Sequence, residues 1–273
     1  MKNLPSHSKR CLRLLLLLAL IFIAGISVRQ DVQARSYTIY VNRKTNIVNV
    51  VNRKTGKLVR AMYCSTGKNY GTISGTYHTY EKLRWHALNG GVYGQYCTRI
   101  SGPYLFHSVP YYRTSHSQVE TKEYNKLGKQ ASQGCVRLAV VDAKWIYDHC
   151  KTGTKVVISE KKKLKKPTRK RLKISTRKKA GWDPTDPDED NPYYPTLKLT
   201  KKSYRYVALN SSFDPRSVIT VSSDFTSKKT LLSLVKISGK VNTAKAGKYK
   251  IVYSLKDPAT ELRKKLTVYF IVK

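Results

Sequence analysis

The chain has 273 residues, 53 Lys or Arg against 16 Asp or Glu, a formal net charge of +37, and 40% hydrophobic content. Its length allows one or two domains, and its apolar content excludes wholesale disorder. The charge calls for polyanionic surroundings, whether nucleic acid, an anionic membrane or an anionic polymer, and does not choose among them.

Taken from the start of the chain, Lys9, Arg10 and Arg13 precede an apolar run over residues 14–28. That run has the length of a secretory h-region and falls short of the ~20 residues of a spanning helix. Val32, Gln33 and Ala34 form a small-residue cleavage pattern. Residues 1–35 are therefore expected to be a signal peptide or an N-terminal membrane anchor, with the protein exported to the cell wall or the extracellular face of the membrane. Cys11 lies before the apolar run, which excludes a lipoprotein cysteine. Export also weighs against a nucleic-acid partner.

Residues 36–159 read as a β-rich domain. Runs over 36–41, 47–51 and 57–63 are β-branched or aromatic, and the repeated tetrapeptide Asn-Arg-Lys-Thr at 42–45 and 52–55 supplies turns between them. Glycines over 67–94 then mark loops between short strands, and Tyr104, Leu105 and Phe106 form a strand ending at His107. Residues 142–149 predict a helix with Asp142 as N-cap, and 155–159 a closing strand. Residues 160–197 change character. A basic stretch with twelve Lys or Arg over 160–181 is followed by an acidic, proline-rich one, which predicts an extended linker that is either a polyanion-binding arm or a solvated spacer. Residues 198–273 predict a second β-sandwich of short strands, with no Cys and no His. The basic excess is spread over all these segments, which favours residence in an anionic medium over one anionic ligand. The fold class is mainly β, with one or two helices.

Chemistry concentrates at Ser132-Gln133-Gly134-Cys135-Val136-Arg137. Gly134 allows a tight backbone bend, so N–H groups around Cys135 could gather where a carbonyl attacked by the thiolate would develop negative charge. Arg137 could bind a carboxylate. A thiolate needs a base or a positive neighbour to bring its pKa down from about 8.5, and His107, His116 and His149 are the available imidazoles. No cysteine pair has C-x-x-C spacing, so no metal site is expected.

The segments around His107-Ser108 and Ser132–Arg137 resemble the signature of the L,D-transpeptidase catalytic domain. Residues 38–57, 65–77, 142–148 and 153–158 resemble its opening hairpin, its Ser-Thr-Gly-Lys stretch, and its closing helix and strand, in order. The resemblance implies an exported peptidoglycan transpeptidase, with no cofactor, acting on stem peptides by way of a Cys135 thioester. It makes His107 the base, oriented by the main-chain carbonyl of Ser108, and builds the oxyanion hole from the N–H groups of Gly134 and Cys135. Arg137 would hold a substrate carboxylate or the loop, and Ser132 would shape the turn. The chain departs from the pattern in two ways. Gln133 stands where the family has a second histidine, and the 28-residue interval from His107 to Cys135 makes 111–130 an enlarged loop, read as a lid. His116 is the rival base, at more typical spacing but in a polar stretch expected to be solvated. Residues 198–273 resemble bacterial immunoglobulin-like surface modules. Alternatives are an L,D-carboxypeptidase that resolves the acyl-enzyme with water, or a non-catalytic wall-binding protein on the same scaffold. The expected partners are stem peptides and anionic wall polymers or a membrane surface.

Overall fold

The structure is a computed structural model and describes residues 37–273; the expected signal or anchor over 1–35 lies outside the described residues. The first unit contains strands β1 (Tyr37–Asn42), β2 (Ile47–Asn52), β3 (Leu58–Ser65), β4 (Gly75–His78), β5 (Glu81–Leu88), β6 (Val92–Ser101), β7 (Tyr104–Ser108) and β8 (Val119–Glu120). After these come a one-turn helix α1 (Thr121–Tyr124), strand β9 (Val136–Leu138), helix α2 (Val140–His149) and strand β10 (Lys155–Ser159). Nine of the strands form one sheet in the order β4-β10-β1-β2-β3-β9-β7-β6-β5.

The expected meander is β1 to β3, antiparallel throughout. Its two turns form for one reason. The Asn42 side-chain oxygen accepts from the Lys44 and Thr45 N–H groups, and Asn52 does the same for Lys54 and Thr55. Each is an Asx turn, which is why the tetrapeptide recurs. Residues 155–159 are β10 as expected, and they pair in parallel with β1. Ile39, Val48, Met62, Phe106, Leu138, Ile146 and Val156 bury fully or nearly so in the shared core, between the sheet and α2.

Helix α2 begins at Val140, two residues before the expected cap. Asp142 lies inside the first turn, 1% exposed, where it pairs with Arg60 at 2.7 Å and with Arg169. The cap comes from far along the chain. Asp183 Oδ2 accepts from Val140 N–H at 2.8 Å and Thr185 Oγ1 accepts from Val141 N–H at 3.1 Å. Free N–H groups at a helix start need such acceptors, and sequence proximity has no bearing on who supplies them.

Those caps belong to residues 160–197, which are not a free spacer. Leu172 and Ile174 bury into the first core, together worth roughly 3–6 kcal/mol at 1.5–3 kcal/mol each. Asn49 grips Lys165 at both backbone N–H and C=O, at 2.9 Å each, and Asn125 grips Ile174 likewise at 3.0 and 2.8 Å. Strand β11 (Ala180–Gly181) pairs with β8, and Asp183, Thr185 and Asp186 are fully buried. The segment is a strap held along its backbone, with most of its basic side chains left in solvent.

The C-terminal unit holds β12 (Thr196–Leu199), β13 (Tyr206–Val207), β14 (Ile219–Ser222), α3 (Lys228–Leu234), β15 (Lys236–Ser238), β16 (Gly247–Lys256) and β17 (Arg263–Val272). β12 pairs with β14, and a four-stranded sheet runs β13-β17-β16-β15. Both sheets contribute to one core, with Leu197, Ile219 and Val221 from the first and Ile251, Tyr253 and Phe270 from the second. Helix α3 was not expected. Ser227 caps it, accepting from Thr230 N–H, and Leu231 anchors it at 0% exposure. Arg60, which bridges Asp142 and Glu261, ties this unit to the first.

Candidate active site

A pocket of about 160 Å³ opens between the β5–β6 hairpin, β7 and the turn before β9, and both Cys135 and His107 line it. Its position follows from strand pairing. Strands β7 and β9 run in parallel with His107 opposite Arg137, which sets Cys135 at the entrance of β9 beside the start of β7.

Hydrogen bonds hold the turn that carries Cys135. Ser132 Oγ donates to the Cys135 carbonyl at 2.6 Å and accepts from Gly134 N–H at 3.1 Å. Thr72 Oγ1 donates to the Gly134 carbonyl at 2.7 Å. The Ser132 hydroxyl thus bridges the turn, and it engages one of the two N–H groups expected to form the oxyanion hole. The Gly134 N–H already has an acceptor, which leaves Cys135 N–H as the donor of that pair. The role of Gly134 is also corrected, since its φ is not positive. A side chain there would come 2.7 Å from the Tyr104 ring, so glycine is required by close approach and not by bend angle. Gln133 is exposed at the pocket edge, 3.3 Å from Asn89 at the tip of the β5–β6 hairpin.

His107 is 2% exposed, and its Nδ1 lies 2.5 Å from the Ser108 carbonyl. A carbonyl only accepts, so the proton sits on Nδ1 and Nε2 is the basic nitrogen. Burial, with Arg137 as a second cause, lowers the His107 pKa to about 3. The Cys135 thiol moves the other way. Burial raises it, against smaller lowering effects of the Leu105 backbone and the Arg137 and Arg99 guanidiniums. The expectation of a depressed thiol is therefore not met: burial works against the charged form of both groups, the thiolate and the imidazolium. Among the described cysteines, Cys64, Cys97 and Cys150 are fully buried, and Cys135 alone is partly exposed.

Arg137 lines the pocket and binds Glu123 of α1 at 2.7 Å. Arg99, which sequence reading did not single out, lines it too, held by Glu81 and by the Gly102 carbonyl. His86 and Asn89 were also missed; they come from a hairpin whose only sequence signal is Asn89-Gly90-Gly91. The lid reading of residues 111–130 is corrected. Tyr111, Val119, Tyr124 and Leu127 are buried in the core, and none of these twenty residues lines the pocket. His116, expected to be solvated, is only partly exposed. It bonds the fully buried Asp186 at 2.9 Å and packs against Trp85 and Trp182, outside the pocket. From there a buried chain runs inward. Asp186 accepts from the Gln95 side chain at 2.7 Å, and Gln95 backbone N–H donates to Ser108 Oγ at 2.9 Å, on the residue whose carbonyl orients His107.

Residues 36–158 match the family model YkuD, described as the L,D-transpeptidase catalytic domain. This is the segment that carries the Cys135–His107 pocket. The curated Bacillus subtilis (strain 168) protein YciB, whose name assigns it provisionally as an L,D-transpeptidase, is 33% identical over 133 residues, which cover 47% of this chain and 64% of that protein. The chain thus spans less than two thirds of this relative. Among solved structures, an L,D-transpeptidase from Mycobacterium smegmatis is 19% identical, covering 45% of this chain and 58% of that one, with a TM-score of 0.38. One from Stackebrandtia nassauensis is 20% identical over 49% and 57%, with a TM-score of 0.36. The family model ends at residue 158, before the strap and the C-terminal unit.

Proposed function

We propose that the protein is an exported L,D-transpeptidase that cross-links or edits peptidoglycan stem peptides through Cys135. The observation that carries this reading is the convergence of the one partly exposed described cysteine and a buried, carbonyl-oriented histidine on one pocket within the matched domain. The Cys135 thiol passes its proton to His107 Nε2 as sulfur attacks the carbonyl of the diamino residue at position three of a tetrapeptide stem. The Cys135 N–H stabilises the developing oxyanion. D-alanine leaves as the amine, taking the proton from His107, and a thioester remains. An amine of a neighbouring stem, deprotonated by His107, then attacks the thioester and regenerates the thiol. Water in place of that amine gives the carboxypeptidase outcome. Arg99 and Arg137 supply positive charge for a stem carboxylate. Export rests on the leader-like residues 1–35, and the net charge of +37 suits an anionic wall. The C-terminal unit, read as an immunoglobulin-like module, serves as the wall-facing spacer.

Incubation with a disaccharide-tetrapeptide, followed by mass analysis, tests the reading. A Cys135 acyl adduct and either cross-linked dimer or tripeptide are expected, and Cys135→Ala should abolish both. An adduct on another cysteine, or full turnover in Cys135→Ala, overturns it.

A further inference from the structure

The four-stranded sheet β13-β17-β16-β15 turns one face to its core and the other to solvent, and successive residues of its strands alternate between the two. Ile251, Tyr253 and Leu255 of β16 and Val268, Phe270 and Val272 of β17 point inward. The outward positions of the same strands are Lys248, Lys250, Val252, Ser254 and Lys256, and Arg263, Lys265, Thr267, Tyr269 and Ile271. Strand β15 adds Lys236, opposite Ser254, which is itself opposite Lys265. Six cations thus share one face, and no carboxylate does. Of the four acids in this unit, Asp257 is fully buried, Asp214 and Asp224 are in loops, and Glu261 is bound to Arg60 and Lys256 at the rim.

This distribution is not what folding favours. Lys256 and Arg263 are directly opposite on neighbouring strands, a like-charge pairing that destabilises a sheet. Solvent-facing sheet positions usually mix signs. Where the face meets the strap, a groove of about 720 Å³ continues it, lined by Arg169, Lys236, Lys256, Arg263 and Lys265 and by one carboxylate, Glu261, which pairs with Arg169 and Lys256. Two exposed tyrosines are covered by lysines, Lys248 over Tyr269 and Lys273 over Tyr206, at 4.6 and 4.7 Å, which holds those ammonium groups in place.

We propose that this face docks a linear phosphodiester polymer. Five of the six cations are lysines, compact point charges that suit phosphates arriving in no fixed register, where a planar carboxylate would call for arginine forks. Ser254 and Thr267 place hydroxyl donors among them. Ten-residue strands give a track of ~33 Å, long enough for several phosphates. A bilayer is the poorer fit, since the face carries two exposed tyrosines and meets a single exposed leucine, Leu234, in the groove, with no exposed Phe or Trp to enter the interface. The strap, with its backbone clamped on the first unit, would lie along one end of the track. The inference does not depend on the chemistry at Cys135.

The test is titration of the full chain with a fluorescent synthetic glycerol-phosphate oligomer across a salt series. The variant Lys236→Gln/Lys250→Gln/Arg263→Gln/Lys265→Gln should bind at least about tenfold more weakly near 0.15 M salt. Its log–log salt slope should be shallower by about 3, at roughly 0.7 per lost phosphate contact. A control with the same charge change at exposed Lys44, Lys54, Lys57 and Lys161 should bind within about twofold of wild type. All eight substituted side chains of the two variants are exposed, so thermal melts should show both folded. Equal losses in the two variants would reduce the effect to net charge and overturn the proposal. So would tighter capture of phosphatidylglycerol vesicles than of the oligomer through the same four residues, which would make the occupant a membrane. Cys135→Ala should bind the oligomer as wild type does, so a failure of the catalytic reading leaves this result standing.

Discussion

A methyl group at Gly94 would test how tightly His107 is seated. Gly94 lies on β6, pressed against the imidazole; a Cβ built there comes 2.9 Å from Nδ1 and 3.0 Å from the Cβ of His107. Comfortable contacts of this kind lie at about 3.5–4.0 Å, so in Gly94→Ala the ring must retreat by roughly 0.5–1 Å. It has little room, being 2% exposed and bound to the Ser108 carbonyl. Overpacking should destabilise the protein by about 1–3 kcal/mol, and the displaced base should slow acylation by about 10²-fold. The rate is read as the mass increase of Cys135 with time under a carbapenem, at a temperature where a thermal melt shows the variant folded. Wild-type acylation by folded Gly94→Ala would refute the placement of His107 as base. A rate loss that merely tracks the unfolded fraction would refute it as well.

His107→Ala should cost far more acylation than His116→Ala, because only His107 lines the pocket; the His116 variant should instead lower the melting temperature by releasing the buried Asp186. The acid limb of the acylation rate should fall near pH 3, where burial has moved His107, and not near 6.5. The same depressed pKa makes folding stability from this group present above about pH 6.5 and lost as pH falls towards 3, so His107→Asn should flatten the pH dependence of the melt in that window. Leu172→Ala should destabilise by about 2–5 kcal/mol in a denaturant titration if the strap is docked, and by almost nothing if it is a free spacer. Glu261→Ala leaves Arg60 with one partner in place of two and should lower the temperature at which the units separate or unfold, followed by calorimetry.

Local chemistry made much of this protein legible in its sequence. The twin Asn-Arg-Lys-Thr turns and the alternation of β1 to β3 depend on neighbours a few residues apart, and their side chains state those relations directly, while β10 and the turn bearing Cys135 carry local patterns that partners far along the chain, in β1 and at Thr72, then fix in place. His107 and Cys135 could be named because each sits in a recognisable local frame. What sequence order could not state is who meets whom across the fold. The cap of α2 comes from Asp183 and Thr185, forty-odd residues downstream. Arg99, His86 and Asn89 reach the pocket only because β5 and β6 pair beside β7. Residues 160–197 read as an extended linker, either a polyanion-binding arm or a solvated spacer, because charge and proline dominate them, yet the burial of Leu172 and Ile174 and the grip of distant asparagines make them a strap. The thiol's pKa was set by burial, a property of packing that no spacing reveals. The charge followed the same division: composition fixed its sum, while the strand register of β15 to β17 decided that six cations share one face, with Glu261 pairing one of them, Lys256, at its rim.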